Sequence, residues 1–275
     1  MIAEKIQNLP DYKEPPVIEV ACGAIFEPIV KLLVPHFGLL WERYRQEYPT
    51  CQEMPPLTTA IENLGDVGEQ KLRLELGSLP PLPRVWFQHS SGNGLIQIQR
   101  DRFHYNWRKL KPENEYPHYN SVIGMFRDNL LNFESFLHEN GLGNIRPVQY
   151  EMTYINHIEQ KDNWATLGGV GNIFPDFSWR IDQGRFLPEP EAVNWKTIFP
   201  LPNRAGRLYV TINNGIRVHD KQPVMNLEVT ARGMPDNLSK EAMWGWFDIA
   251  HEWIVRGFTD LTSDYVHKNI WKRLR

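Results

Sequence analysis

The chain has 275 residues, of which 41% are hydrophobic and 23% charged, with a formal net charge of -3 at neutral pH. That is an ordinary globular mix, long enough for one large domain or two small ones. The slight acidity gives no global basic field for nucleic acid, so such binding would need a local patch.

No apolar run approaches the ~18 residues of a membrane span, and the first residues lack the basic end and apolar stretch of a signal peptide. The two cysteines, Cys22 and Cys51, have no metal-type spacing. Reduced thiols, a cytoplasmic location and no membrane partner are the expectation. The aromatic content of 12%, with ten Trp, points to a thick core or a ring-built binding surface.

Residues 1–16 read as a tail ending in Pro15-Pro16. Val17 to Phe26 alternates as a strand. Pro35 suits a first helical turn, and Phe37, Leu40, Trp41, Tyr44 and Tyr48 recur at helical spacing until Pro49, Pro55 and Pro56 stop the helix. Leu72, Leu74 and Leu76 alternate within a short strand over 71–76, and L-P-P-L-P-R is an extended connector. A meander follows: Val85 to His89, the turn S-S-G-N-G, Leu95 to Gln99, the turn Arg100-Asp101-Arg102, and Phe103 to Arg108. The spacing predicts a helix over 118–139 with Val122, Phe126, Leu130, Phe133 and Leu137 on one stripe and Gly141 just past its end.

Gln149 to Ile158 reads as a strand with Glu151, Thr153 and His157 on one face. The segment 159–205 is rich in Gly, Pro, Asp and Asn, and its periodicity is confined to 177–181. Two strands then alternate through Leu208, Val210, Ile212 and through Met225, Leu227, Val229. Ser239 caps a long helix striped by Ala242, Trp246, Ile249 and Trp253, and a last short helix holds His267 and Trp271.

This order predicts an α+β fold of antiparallel sheets with helices packed on one face, two-lobed or pseudo-duplicated. The expected division is a tail at 1–16, an N-terminal lobe at 17–160 and a C-terminal lobe at 161–275. One continuous domain is the other arrangement.

No P-loop, nucleophile elbow, H-E-x-x-H or paired-cysteine motif is present, so no cofactor, metal site or catalytic set is expected. The Gly-rich stretch 167–171 lacks the strand-then-helix context of a dinucleotide site. The surface to watch is the hairpin. Phe103, Tyr105 and Trp107 point one way; His104, Asn106 and Arg108 point the other, beside Gln97 and Gln99. Asn226 and Glu228 begin a similar polar row, and Glu151 and His157 share another. Gln, Asn, His and Arg offer directional hydrogen bonds, whereas a merely solvated face favours Lys and Glu. The binding residues expected are Gln97, Gln99, Arg100, Arg102, His104, Asn106, Arg108, Glu151, His157, Asn226 and Glu228, with the arginines as anion contacts.

The segments P-P-V-I-E-V-A-C-G (15–23), F-G-x-L-W (37–41), P-P-L-P-R-V-W-F (80–87), L-I-Q-I-Q-R-D-R-F-H-Y-N-W-R-K (95–109), Y-E-M-T-Y-I-N-H-I (150–158) and G-F-T-D-L-T (257–262) span nearly the whole chain. In them the chain resembles a sporadically distributed prokaryotic family of uncharacterised proteins of about this length. The resemblance implies no activity or cofactor; its patchy distribution suits an accessory component of a toxin–antitoxin or phage-defence locus.

The expected function is that of a non-enzymatic binding or regulatory protein recognising a partner protein or polar ligand. One rival is a hydrolase or nuclease-like enzyme pairing His104 or His157 with Glu151 or Glu228. The other is a single-stranded nucleic-acid binder stacking bases on Phe103, Tyr105 or Trp107.

Overall fold

The computed structural model describes residues 9–58, 61, 82–160, 164–177, 179 and 184–275. Among the described residues nine strands form a single antiparallel sheet: β1 (Val17–Phe26), β2 (Thr50–Met54), β3 (Arg84–Gln88), β4 (Gly94–Gln99), β5 (Arg102–Arg108), β6 (Pro147–Glu159), β7 (Asn194–Pro200), β8 (Gly206–Ile216) and β9 (Pro223–Gly233). Their order across the sheet is β2-β3-β4-β5-β1-β6-β9-β8-β7. The helices are α1 (Val34–Tyr44), α2 (His118–Glu139), α3 (Lys240–Leu261) and α4 (Asp264–Asn269). The α+β class with helix-covered antiparallel strands is as expected. The anticipated strand over 71–76 lies outside the described residues.

The three longer helices pack on one face of the sheet, and ring contacts fix which. Phe103 stacks on Phe133 of α2 at 5.4 Å. Tyr150 meets Phe247 of α3 at 5.7 Å, and Phe87 meets Tyr44 of α1 at 5.8 Å. The α2 stripe is the one its periodicity marks, with Val122, Phe126, Leu130, Phe133 and Leu137 all buried. Burying each Phe contributes roughly 1.5–3 kcal/mol. Gly141, at φ 62, supplies the left-handed residue after that helix. The Ser239 hydroxyl accepts from the Ala242 N–H, as expected of a cap. The buried stripe of α3 runs through Met243, Trp246, Phe247, Ala250 and Ile254, rotated from the expected one; Ala242, Ile249 and Trp253 are only partly covered.

Helix α1 ends at Tyr44, one turn before Tyr48. Tyr48 is nevertheless fully buried, reached through a turn in which its N–H bonds the Tyr44 carbonyl. The prolines that stop the helix also bracket β2, and β7 ends in Pro200. Both strands are edges, where a proline removes no ladder bond that matters.

The expected lobe boundary near residue 160 separates segments whose strands join one sheet, because β6 pairs with β1 on one side and β9 on the other. Each half contributes a first strand, a three-strand meander and a long helix. The first strands, β1 and β6, lie antiparallel at the centre, flanked outward by β5 and β9, then β4 and β8, then β3 and β7. A local two-fold through the Ala21–Thr153 pair relates them. It carries Glu19 onto Glu151, and their cross-strand partners Arg108 and Arg232 onto each other. The pseudo-duplication is thus visible at single residues.

Candidate functional site

The face opposite the helices carries the polar rows. The registers put Gln97, Gln99, Arg102, His104, Asn106, Arg108, Glu151, His157, Asn226 and Glu228 on it together. Arg100 does not join them. It sits in the β4–β5 turn, and its Nε donates to the Leu32 carbonyl in the segment leading into α1.

Five of these polar side chains, Arg102 among them, are far less open than alternation implies. Gln97 is 9% exposed, Gln99 8%, His104 8% and Asn106 4%. The two glutamines and Asn106 spend their hydrogen bonds internally. The Gln97 carbonyl accepts from Arg84 Nη1 at 2.8 Å and Trp86 Nε1 at 2.9 Å, and its amide donates to Asn106 Oδ1 at 2.7 Å. Asn106 in turn donates to Glu19. The Gln99 amide pairs with both backbone groups of Leu57. These internal bonds, Gln97 to Asn106 to Glu19 on one side and Gln99 to Leu57 on the other, stiffen the face.

At the centre, His104, Glu151 and Arg232 meet across three strands. His104 pairs with Gly23, and a Cβ there would lie 2.1 Å from the imidazole Cδ2. The missing side chain lets the ring lie across β1 toward Glu151. His104 Nε2 stands 3.6 Å from Glu151 Oε2, longer than an ordinary hydrogen bond. Arg232 Nε lies 3.0 Å from Glu151 Oε1, but its N–H is not aimed at the oxygen, so this is an ion pair rather than a directed bond. Gln149 Nε2 donates to the same oxygen at 2.9 Å. Burial pushes the Glu151 carboxyl up, but His104, Arg232 and Arg102 together outweigh it and hold the group below its ordinary range. Glu19, its two-fold mate, is dominated by burial and stands above that range despite the Asn106 bond.

The cations are spread differently from the expected Arg100–Arg102–Arg108 cluster. Arg102 and Arg108 lie at opposite ends of β5, roughly 20 Å apart at the strand rise. Arg84, outside the expected set, completes the group. Its guanidinium and that of Arg108 approach the Trp86 ring, at 5.3 and 5.6 Å from the centroid. The Nε–H groups of Arg84 and Arg108 are buried without an acceptor. Burial, and then the Arg102 charge, lower the Arg84 pKa. Arg84, Trp86 and Gln88 alternate with Val85 and Phe87, so the signal lay in the P-R-V-W-F-Q run. In the other half, Arg232 lies over Tyr209 at 5.1 Å, repeating the Arg108–Trp86 stack.

Along the strands this face holds Arg84, Arg102, Arg108, Lys196, Arg207 and Arg232 against Glu19, Glu151, Glu159 and Glu228. Six cations against four carboxylates leave a formal excess of two positive charges, in a chain whose total is -3. The partly exposed strip runs along β6 and β9 through Thr153, Ile155, Asn226 and Glu228. His157 stands at its end; burial, then Arg217, lower its pKa.

Chemically, His104 and Glu151 resemble an oriented acid–base pair, but the second imidazole nitrogen, Nδ1, is buried and unpartnered, so a substrate atom has no open approach to it. Among the described residues no three His, Cys, Asp or Glu side chains are grouped to hold a metal ion. No described helix is long and apolar enough to cross a membrane. Phe103, Tyr105 and Trp107 are all buried beneath the helices, which removes them as a stacking platform for bases. No protein-family model matches the chain, and no curated protein matches it.

Proposed function

We propose that this chain is a binding protein whose polar sheet face receives an anionic surface of a partner protein. The observation that carries the reading is the arginine pair at Trp86. Two guanidiniums share one ring, their Nε–H groups lack acceptors, and a third arginine nearby adds repulsion instead of relief. Both side chains remain partly exposed, and a carboxylate or phosphate arriving from outside offsets their crowded like charges through the planar guanidinium fork. The strip along β6 and β9 supplies the remaining contact area, with Ile155 as an apolar point among polar neighbours. The internally bonded Gln97–Asn106–Glu19 chain supports the reading by keeping the surface pre-shaped.

The test is site-specific photocrosslinking in the native host. A photoreactive residue at Ile155 is expected to capture a discrete protein, whereas one at Arg256, exposed on α3, is not. Capture at Ile155 is expected to fall as salt rises and to be lost in Arg108→Ala, with Tm nearly unchanged. Equal labelling from both positions, or capture indifferent to Arg108→Ala, overturns the proposal.

A further inference from the structure

On the other side of the sheet, between α2, α3 and the segment 9–17, lies a cavity of about 350 Å³. We propose that it binds a small neutral aromatic molecule carrying one hydrogen-bonding edge, such as a phenol. This inference stands apart from the polar face, which it does not touch.

The volume falls at the lower end of small-molecule sites, roughly 300–1,000 Å³. The wall is built of rings and aliphatic groups: Tyr116, Tyr119, Tyr154, His251, Ile254 and Phe258. Flat rings of this kind select a flat guest through offset and edge contacts. Two places in this wall offer hydrogen bonding to a guest. The hydroxyls of Tyr116 and Tyr154 bond each other at 2.8 Å, so one donates and the other keeps its own O–H for a further acceptor. His251 stacks on Tyr119 at 4.0 Å between centroids, nearly parallel, and its Nδ1 is buried without a partner. Tyr119 is already spent, donating to Asp248 Oδ1 at 2.9 Å. His251 lines the cavity, and a small turn of its ring brings this unbonded nitrogen to a guest that can satisfy it.

The guest's charge follows from what surrounds it. Burial drives the His251 pKa down to about 3, so the imidazole is neutral and offers one N–H and one lone pair. Burial raises the hydroxyl pKa of Tyr116 and Tyr154, so both remain protonated. The charges at the mouth, Asp11 and Arg275, pair with each other at 3.6 Å. Among the described lining residues, Asp11 also has His118 Nδ1 at 4.0 Å, and a charged guest would enter without a counter-charge from the ring wall.

Calorimetric titration of the full chain with para-cresol, toluene and benzoate separates the terms: hydroxylated ring, bare ring and charged ring. Saturable one-to-one binding of para-cresol is expected, at least about tenfold tighter than either of the others, a factor equal to about 1.4 kcal/mol. His251→Phe keeps the stack on Tyr119 but removes the nitrogens, and should abolish the preference for cresol over toluene. Tyr116→Phe together with Tyr154→Phe, which removes both hydroxyls of the pair, should do the same and serves if the first variant does not fold. Absence of saturable cresol binding, as for a cavity that holds only water, overturns the proposal. So does equal affinity for the three probes, or unchanged cresol preference in both variants.

Discussion

Glu151 shows how a single residue's chemistry depends on one missing side chain. Without a Cβ at Gly23 the His104 ring crosses β1, and the carboxylate gains the imidazole as a neighbour besides Arg232. The lowered carboxyl pKa has a definite sign for stability. The contribution is fully present above the unfolded-chain value, roughly 4.3, and is lost as pH falls through the lower folded value. Glu151→Gln should therefore be less stable than the parent by about 2 kcal/mol at neutral pH, because Arg232 is left partly buried beside a neutral amide. The gap should close below the carboxylate range. Urea unfolding of both proteins at pH 7 and at pH 3 measures it, and a gap independent of pH would show that the carboxylate's charge is not what matters. Alternation placed Glu151 and His104 on one face, but their meeting across an intervening strand depends on a register that no local pattern encodes.

At the level of elements, the strands that periodicity revealed are those with a neighbour on each side and helices beneath one face. The two that it missed, β2 and β7, are the outer margins of the sheet. A margin strand buries little, so its residues are free of the in–out rhythm that burial imposes; β2 is exposed along nearly its whole length. The prolines beside it read as helix breakers and also serve as strand ends. Interior strands are constrained more tightly. Gly206 and Gly233 face each other where β8 and β9 begin to pair, and a Cβ on Gly233 would sit 1.9 Å from the Ala205 carbonyl oxygen. That oxygen also accepts from Trp246 Nε1 at 2.8 Å and from the Met234 N–H. Gly233→Ala should cost roughly 1–3 kcal/mol by forcing the two backbones apart. It should also shift the emission of Trp246, whose indole loses its acceptor. Unaltered stability and fluorescence would mean that the hairpin end yields freely.

For the whole molecule, the central seam between β1 and β6 makes the halves interdependent. The Gly/Pro-rich segment near residue 160 has the composition of a linker, and on composition alone two lobes are as reasonable as one sheet. What decides is long-range pairing: β6 closes against β1 with a continuous register from Glu19 to Ile25. Unfolding should therefore be a single cooperative transition in urea, with far-ultraviolet circular dichroism and tryptophan fluorescence coinciding. Tryptophans report from both halves, Trp41 and Trp107 in one, Trp246 and Trp271 in the other. Two separated steps would indicate lobes that fold independently.

The local two-fold bears on orientation as well. A truly symmetric platform looks the same to a visitor arriving either way round, and cannot tell the two approaches apart. Here one copy of the Glu–Arg device is closed, Arg232 against Glu151, while in the other Arg108 leans on Trp86 and its carboxylate turns to an amide. The divergence gives an otherwise reversible surface a front and a back, so a single visitor is seated in one sense only.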